Sequence, residues 1–169
     1  MLNRDYTNSG YAEARARAIV QSRRINDYMP THMKRLITEA LRENNLKLED
    51  AKIAILGYAF LENSDDTRNT PAKPLYESLV NECQEVIVHD PYVKQEEGIN
   101  LTTDLEEALR DKDCIALVTR HREYNDIDLN WLSYNMRTKI IVDGRNLFNP
   151  KEAVEKGFTF RGVGIGSSK

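Results

Sequence analysis

Short apolar runs that alternate with helical segments constrain the fold of this 169-residue chain more than any other feature. Each run is rich in β-branched residues and is bounded by polar ones, which is typical of a strand buried on both faces. Strands are predicted over residues 52–56, 86–88, 114–119, 139–142 and 159–163. Helices are predicted between them, over residues 71–83, 103–112, 129–135 and 151–156. The alternation indicates an α/β fold: a doubly wound, Rossmann-like parallel sheet with helices on both faces.

A long helical segment precedes this α/β region. Residues 11–45 are rich in Ala, Arg and Glu and contain no glycine, whereas residues 1–10 are polar and expected to be loosely ordered. Pro30 must kink the helix or start a second one, because proline removes a backbone hydrogen bond. Around and after Pro30 the apolar residues recur at steps of three and four, so one face is expected to be buried: Met29, Met33, Leu36, Ile37, Ala40 and Leu41.

The change in composition near residues 46–50 divides the chain into two predicted domains. Residues 1–48 form a helical arm, and residues 49–169 form the α/β domain. An arm of this kind either folds back onto its own domain or forms an interface with a second copy or with another domain. The sequence leaves both alternatives open.

Composition excludes several classes of protein. The formal net charge of -3 argues against a protein that binds nucleic acid through its general charge. No apolar run approaches eighteen residues, and the N-terminus has no apolar signal-peptide core, so we expect a cytoplasmic protein without a membrane span. Cys83 and Cys114 lack CxxC spacing and are expected to be buried, structural thiols rather than a disulfide or a catalytic group.

Polar clusters follow the predicted strands, at residues 65–68, 89–90, 120–123 and 143–146. Ligands of parallel sheets bind beyond the carboxyl ends of the strands, so these clusters locate the candidate site. The loop after the first strand, residues 57–71, is long and charged, as functional loops often are. Thr70 is the predicted N-cap and Pro71 the first residue of the next helix, whose N-terminus suits an anionic ligand.

The chemistry of this edge has three candidate interpretations. In the first, the loop itself binds a dinucleotide, with Asp90 as the carboxylate that contacts the ribose. The loop begins with GYAF at residues 57–60 and lacks the GxGxxG glycines that let a backbone approach pyrophosphate. Asp90, which precedes a proline, is therefore expected to be a turn residue.

The second interpretation is a binding surface for a nucleoside diphosphate. Phe60 offers a flat face for a base or sugar, and Arg68 and Arg145 offer bidentate contacts to phosphate. In the alternative, Phe60 packs in the core while Arg68 pairs with Asp65 or Asp66.

The third interpretation is acid–base chemistry by His121 with Glu123 or Asp126. A single histidine in a loop is usually solvated, and no nucleophile is evident nearby. His32 and His89 are expected to be surface or turn residues. The three histidines are too scattered, and too far from cysteines, to indicate a metal site.

Several segments together resemble a known family. GYAF at 57–60 with DDTRNTP at 65–71 resembles the G-x-A-F-K…D-x-R-x-S/T-P signature of the UDP-glucose/GDP-mannose dehydrogenase family, in its C-terminal, UDP-sugar-binding domain. HDPY at 89–92, TRHREY at 119–124 and VDGRN at 142–146 resemble the later motifs of that domain. RINDYMP at 24–30 resembles the R-x-I-N-D-x-M-P of the family's central helix.

The resemblance implies an NAD-dependent, two-step oxidation of the C6 alcohol of a UDP-sugar to a uronic acid. It places Phe60 and Leu61 against the sugar nucleotide and Arg145 against the substrate. Arg68 would reach an NAD bound on another domain. The central helix forms the family's dimer interface, so the resemblance favours a homodimer through the N-terminal helix. The DDTRNTP variant favours UDP-N-acetylmannosamine over UDP-glucose as substrate.

Two departures from the family pattern carry consequences. Leu61 stands where the family commonly has lysine, so either this subgroup binds its substrate differently or its affinity is lower. A lost hydrogen bond to a charged group weakens binding by about 1.5–3 kcal/mol. No GxGxxG domain and no G-G-x-C segment with a catalytic thiol are present in this sequence. We therefore expect a C-terminal portion with no catalytic residue of its own, which needs an NAD-binding domain or chain. The alternative is a non-catalytic module for nucleotide binding, dimerisation or regulation.

Overall fold

A computed structural model describes residues 5–164 and 166–168, with side chains for residues 13–164. Within these ranges, five α-helices surround one seven-stranded sheet. The helices are α1 (Asp5–Glu43), α2 (Ala72–Leu79), α3 (Leu105–Leu109), α4 (Leu129–Asn135) and α5 (Pro150–Glu155). The strands are β1 (Lys52–Leu56), β2 (Glu85–His89), β3 (Leu101–Thr102), β4 (Cys114–Leu117), β5 (Ile140–Asp143), β6 (Thr159–Gly162) and β7 (Gly166–Ser168). Short 3-10 turns occupy Leu48–Asp50 and Arg122–Asp126.

The strand order confirms the predicted doubly wound fold. The order is β3-β2-β1-β4-β5-β6-β7, with parallel pairing from β3 to β6 and an antiparallel pairing of β7 on β6. The chain runs outwards from β1 in one direction and then returns to start again at β4. The crevice between β1 and β4 at their carboxyl ends is the place where such sheets bind ligands.

Alternate residues of each central strand enter two separate cores. Ile53 and Ile55 of β1 pack with α1 and α2 on one face of the sheet. Ala54 and Leu56 pack on the opposite face, with α3, α4 and α5. The side-chain period of two in a strand produces this division, and burial on both faces explains why the strands read as continuous apolar runs.

The helix α1 has two different halves. Met33, Ile37 and Leu41 are buried against the sheet, as the periodicity predicts. The side chains of residues 13–28 are all exposed. The second half therefore folds back onto its own domain, while the first half projects from it and is open to a partner.

The start and the continuity of α1 differ from expectation. The helix begins at Asp5, so it includes residues 5–10 of the segment that was predicted to be loosely ordered; residues 1–4 lie outside the described range. Pro30 lies inside this single helix and does not start a second one. A proline inside a helix removes one backbone hydrogen bond and crowds the carbonyl four residues earlier, so the kink at Pro30 stays a prediction. Pro30 is buried, and packing against the domain stabilises the helix across this position.

Other boundaries shift by a few residues. The helix α2 begins at Ala72, one residue after Pro71, and Thr70 Oγ1 accepts a hydrogen bond from Ala72 N at 3.1 Å. The helix α3 begins at Leu105 rather than at residue 103, because the side chain of Asp104 caps it by accepting hydrogen bonds from the backbone of Glu106 and Glu107. The strands β3 and β7 were not predicted, since strands of two and three residues carry no periodic pattern.

Both cysteines are free thiols. Cys114 is buried in β4 and Cys83 is half-buried after α2. Burial raises the pKa of Cys83 to about 11 and also raises that of Cys114, so the reactive thiolate is disfavoured. These contacts fit the expected structural role. Among the described residues, no helix is both long and apolar enough to cross a membrane.

We predict that Gly57→Ala destabilises the fold more than Gly157→Ala. Both glycines have φ of +86°, where a side chain is strained by about 1–2 kcal/mol. A Cβ at Gly57 would lie 2.3 Å from the carbonyl oxygen of Thr119, whereas a Cβ at Gly157 would meet nothing within 4 Å. Overpacking adds about 1–3 kcal/mol at Gly57 alone, and urea unfolding of both variants measures the difference. Equal losses of stability would contradict this close approach of the β1 and β4 ends.

Candidate functional site

Three loops meet at the carboxyl ends of the central strands. The loop after β1 (residues 57–71), the loop after β4 (residues 118–128) and the loop after β5 (residues 144–149) lie side by side, because β4 is paired with β1 and with β5. We call this edge the rim. All four sequence-predicted site residues lie on it: Phe60, Leu61, Arg68 and Arg145.

Asp90, which follows β2, fixes the first residues of the β1 loop from the interior of the domain. Its carboxylate is fully buried, and Oδ2 accepts hydrogen bonds from Tyr58 N and Ala59 N, each at 2.8 Å, and from His121 Nε2 at 2.9 Å. Oδ1 accepts from Tyr92 N at 2.8 Å and Val93 N at 3.0 Å. Asp90 is thus the expected turn residue, and its oxygens are occupied, which argues against the role of a ribose ligand.

His121 is the second buried polar residue of the rim, and the expectation of a solvated histidine is wrong. Its side chain is 0% exposed. Nδ1 accepts a hydrogen bond from Asn63 N at 2.9 Å while Nε2 bonds to Asp90. Glu123 bonds instead to the Tyr92 hydroxyl at 2.7 Å. The proposed acid–base pairing of His121 with Glu123 or Asp126 is therefore not formed within the described residues.

The other two histidines also differ from a simple surface assignment. His89 is 2% exposed; its Nδ1 lies 2.9 Å from the Tyr124 hydroxyl and its Nε2 lies 3.3 Å from the carbonyl of Thr103. Burial lowers the pKa of His89 and favours the neutral ring. His32 is half-buried on α1, with Nδ1 3.1 Å from Arg35 Nη2. His89 thus supports the rim from within, whereas His32 contacts Arg35 of its own helix.

Further bonds fix the β1 loop on both sides of its tip. Thr119 Oγ1 donates to the carbonyl of Ala59 at 2.6 Å, and Arg122 N donates to Asn63 Oδ1 at 2.9 Å. Asn63 adopts a φ of 57°, a left-handed conformation that asparagine tolerates. Phe60 and Leu61 lie between the fixed residues and are 48% and 52% exposed. The loop therefore presents two apolar side chains to solvent on a rigid base.

The alternative interpretation of Phe60 and Arg68 is half right. Phe60 does not pack in the core. Arg68 does pair with Asp66, through Nε to Oδ1 at 2.9 Å and Nη2 to Oδ2 at 2.8 Å, and its side chain remains 85% exposed. The hydrogen bond from Arg68 lowers the pKa of Asp66 to about 2. Since Phe60 N donates to the carbonyl of Asp66 at 2.7 Å, this ion pair is attached to the tip of the loop.

Arg145 reaches the β1 loop from the other side of the rim. Asp143 shapes its loop by accepting bonds from the backbone of Arg145, Leu147 and Phe148 at 2.8–2.9 Å. Nη2 of the Arg145 guanidinium lies 3.4 Å from Glu62 Oε1, and the Arg145 side chain is 43% exposed. The structure thus connects Arg145 to the residue next to Leu61, and it connects Arg68 to Phe60 through Asp66. The sequence did not reveal Glu62, Asn63, Thr119 or Asp143 as the residues that make these links.

The structure has a cavity near the rim and a larger one away from it. The smaller, about 270 Å³, opens between the β4 and β5 loops and is lined by Asn125, Asp128, Leu147 and Asn149 among others. The larger, about 570 Å³, lies between the second half of α1, residues 45–48 and the turn after α2, and is lined by Lys34, Thr38, Arg42 and Glu82 among others. The rim, which combines an exposed aromatic residue with arginines, remains the better candidate because ligand chemistry rather than volume defines a site.

We predict that Asp90→Asn removes a pH-dependent part of the stability. Burial alone would raise the pKa of Asp90, but hydrogen bonds from His121 and from backbone N–H groups outweigh it and lower the pKa to about 2. The carboxylate therefore contributes stability above about pH 4 that is lost as pH falls towards about 2. The variant should lose about 2–3 kcal/mol at neutral pH, and its deficit should shrink through this range. Urea unfolding at each pH measures it.

The exposed residue Asp65 provides the control, because Asp65→Asn should leave the curve unchanged. A constant difference between the wild type and Asp90→Asn from pH 7 to pH 2 would contradict the role assigned to the Asp90 carboxylate.

Comparison with known proteins shows that this chain is similar to part of several nucleotide-sugar dehydrogenases. The chain is 39% identical over 145 residues to the UDP-N-acetyl-D-mannosamine dehydrogenase of Pyrococcus horikoshii, a match that covers 86% of this chain and 33% of the relative. It is 30% identical over 122 residues to the UDP-glucose 6-dehydrogenase of Rhizobium meliloti, covering 69% of this chain and 28% of that protein. The chain thus spans about a third of the length of these curated relatives.

Solved structures agree in fold. A crystal structure of the NDP-N-acetyl-D-galactosaminuronic acid dehydrogenase from Methanosarcina mazei matches with a TM-score of 0.82 and 37% identity, over 86% of this chain and 31% of that one. The UDP-D-ManNAc dehydrogenase from Pyrococcus horikoshii matches with a TM-score of 0.76 and 38% identity, over 86% and 33% of the two chains.

Residues 54–150 match the sequence profile described as "UDP-glucose/GDP-mannose dehydrogenase family, UDP binding domain". This segment begins in β1, includes all three rim loops and ends at the start of α5. The four motifs of the UDP-sugar-binding domain that suggested the resemblance lie within the matched segment, and RINDYMP at 24–30 precedes it. This chain belongs to the UDP-glucose/GDP-mannose dehydrogenase family through its UDP-binding domain.

Proposed function

We propose that the rim binds the UDP part of a UDP-sugar so that an NAD-binding part of a dehydrogenase oxidises the sugar's C6 alcohol to the uronic acid. The observation that carries the proposal is the exposed pair Phe60 and Leu61, held rigidly beside the arginine Arg145 at the carboxyl ends of the strands. This arrangement combines a flat apolar surface with a cation, the two features that a nucleoside diphosphate sugar requires.

The ion pair between Arg145 and Glu62 suits an exchangeable site. Its N–O distance is 3.4 Å, and both side chains are more than two-fifths exposed, at 43% and 48%. A pair of this kind contributes little to stability, so a phosphate can replace Glu62 as the partner of the guanidinium. Arginine then offers two parallel N–H donors to the phosphate oxygens.

The proposed part of Arg68 is to contact NAD. Its guanidinium is the most exposed of the rim's paired arginines, at 85%, and Asp66 fixes its direction. When bound, NAD supplies the hydride acceptor for both oxidation steps. The described rim provides no glycine-rich pyrophosphate loop, and Asp90 is occupied, so Arg68 is the rim residue that we propose for contact with that cofactor.

Relatives named UDP-N-acetyl-D-mannosamine dehydrogenase and UDP-glucose 6-dehydrogenase support a UDP-hexose or UDP-N-acetylhexosamine as substrate. Leu61 provides no charge to that substrate, so Arg145 carries most of the proposed ionic contact. We further propose that the dehydrogenase acts in the cytoplasm and that residues 1–48 and 49–169 are its dimerisation and UDP-sugar-binding parts. The alternative function is a non-catalytic nucleotide-binding, dimerisation or regulatory module.

The exposed half of α1 supports a homodimer. Ile25 and Tyr28 are 62% and 55% exposed. They lie on the same side of the helix as Ala14 and Ala18, because the successive spacings of four, seven and three residues each bring the chain back to that side. Exposed apolar residues of this size favour burial against a partner helix. A second copy of the same helix is the proposed partner.

We predict that UDP binds the chain in calorimetric titration and that Arg145→Ala weakens this binding about tenfold or more, because one charged hydrogen-bonding group is lost. Arg35→Ala is the matched control, since Arg35 also pairs with a glutamate but lies on α1. Unchanged affinity in Arg145→Ala would remove this residue from the site. Absence of UDP binding at millimolar concentration would favour a structural module. Formation of NADH by the chain alone from NAD and UDP-sugar would contradict the proposal that oxidation needs a separate NAD-binding part.

We predict that the chain sediments as a dimer and that Ile25→Glu converts it to a monomer, because a charge replaces an apolar contact residue. Arg23→Gln changes the net charge by the same amount on the opposite side of the helix and should leave the dimer intact. Sedimentation velocity measures both variants. A wild-type monomer, or an equal response of the two variants, would argue against this interface.

A further inference from the structure

We propose that His121 is a positioning residue whose imidazole holds the tip of the β1 loop in the conformation that binds the nucleotide sugar. This role rests on the proposed function of the rim. His121 was a candidate for acid–base chemistry in the sequence, and the structure points to a different task. It lies beneath the loop rather than at the surface where a substrate would lie.

The hydrogen bonds of His121 define its proton. Nδ1 accepts from the backbone N–H of Asn63, so this nitrogen must carry a lone pair. The proton therefore lies on Nε2, which donates to Asp90 Oδ2 at 2.9 Å. The ring is neutral in this arrangement, with a fixed tautomer.

Through these two bonds one ring controls both ends of the loop tip. Its Nδ1 holds Asn63, on the far side of the tip. Its Nε2 holds Asp90, whose same oxygen accepts from the backbone of Tyr58 and Ala59 on the near side. Only residues 60–62 lie between the two fixed points, and they include both exposed apolar residues and the partner of Arg145.

The surroundings of His121 keep the ring in place. Its centroid lies 5.2 Å from the ring of Tyr92 and 5.5 Å from that of Tyr124. Tyr124 is itself fixed by its hydroxyl, which donates to the carbonyl of His89 at 3.0 Å. Because His121 and Asp90 are both 0% exposed, water does not compete for their bonds.

The spacing of the TRHREY segment follows from this task. Thr119 and His121 are two residues apart, and both contact the β1 loop, at Ala59 and Asn63 respectively. The side chains of Arg120 and Arg122 bond instead to Asn125 and Glu123 of their own loop. A loop tip fixed before binding loses less conformational entropy when it contacts a ligand, so the expected consequence is higher affinity.

Two substitutions separate the two bonds. In His121→Gln the amide nitrogen takes the position of Nε2 and keeps the donor to Asp90, but Asn63 N loses its acceptor. In His121→Asn the amide oxygen takes the position of Nδ1 and keeps the acceptor for Asn63, but the donor to Asp90 is lost. We expect each variant to bind UDP about fivefold more weakly, and His121→Ala more weakly still. His32→Gln, on α1, should bind as the wild type does.

A double-mutant cycle distinguishes positioning from general damage to the fold. In a Phe60→Ala background, which has no aromatic side chain at the tip, His121→Gln should weaken UDP binding much less than it does in the wild type. Equal losses in both backgrounds, or no loss in any His121 variant that remains folded, would overturn the proposal. If the wild type itself fails to bind UDP, it is the proposed function of the rim that fails.

The wild-type chain provides a test that does not depend on whether a variant folds. Long-range ¹H–¹⁵N spectra of its histidines should show His121 as a neutral ring with the proton on Nε2 at neutral pH. A proton on Nδ1, or a doubly protonated ring, would contradict the bond to Asn63 and with it the positioning role.

Discussion

The buried carboxylate of Asp90 is the interaction on which the rim depends. Five hydrogen bonds converge on its two oxygens, from the start of the β1 loop, from the turn after β2 and from His121. A buried carboxylate is stable only when it is satisfied in this way, so the three segments are constrained together rather than one at a time. The exposed position of Phe60 and Leu61 is a consequence of this buried arrangement, and a nucleotide site at the rim inherits its rigidity from it.

The sequence predicts the framework of the fold well because the strands are buried on both faces. Apolar runs such as residues 52–56 and 139–142 fit few structures other than a buried strand. Their order along the chain gives the doubly wound sheet and the edge at which the candidate site lies. The strands β3 and β7 could not be predicted, because each has only two or three residues and forms by pairing with the edge strand of the sheet. The continuity of α1 through Pro30 depends on tertiary packing and is likewise absent from local patterns.

The sequence predicted that the candidate site residues lie at the carboxyl ends of the strands, where the structure has them, and it predicted their contacts only in part; their binding role stays a prediction. His121 and His89 looked like solvated residues, because polar residues between strands usually are, and their partners are distant in the sequence. Asp90 lies 31 residues from His121, and Asn63 lies 58 residues from it. One signal was available: a threonine and a histidine two residues apart after a buried strand indicate two side chains that share a direction. Local propensity does not reveal which loop they contact.

The central claim is that the rim, rather than another surface of the domain, binds UDP. Titration of the ¹⁵N-labelled chain with UDP, followed by backbone amide shifts, tests it most directly. We expect the largest shifts in residues 57–70 and 144–147, with smaller ones at residues 119–122. Shifts concentrated at the larger cavity beside Lys34, Thr38 and Arg42, or no shifts at millimolar UDP, would contradict it.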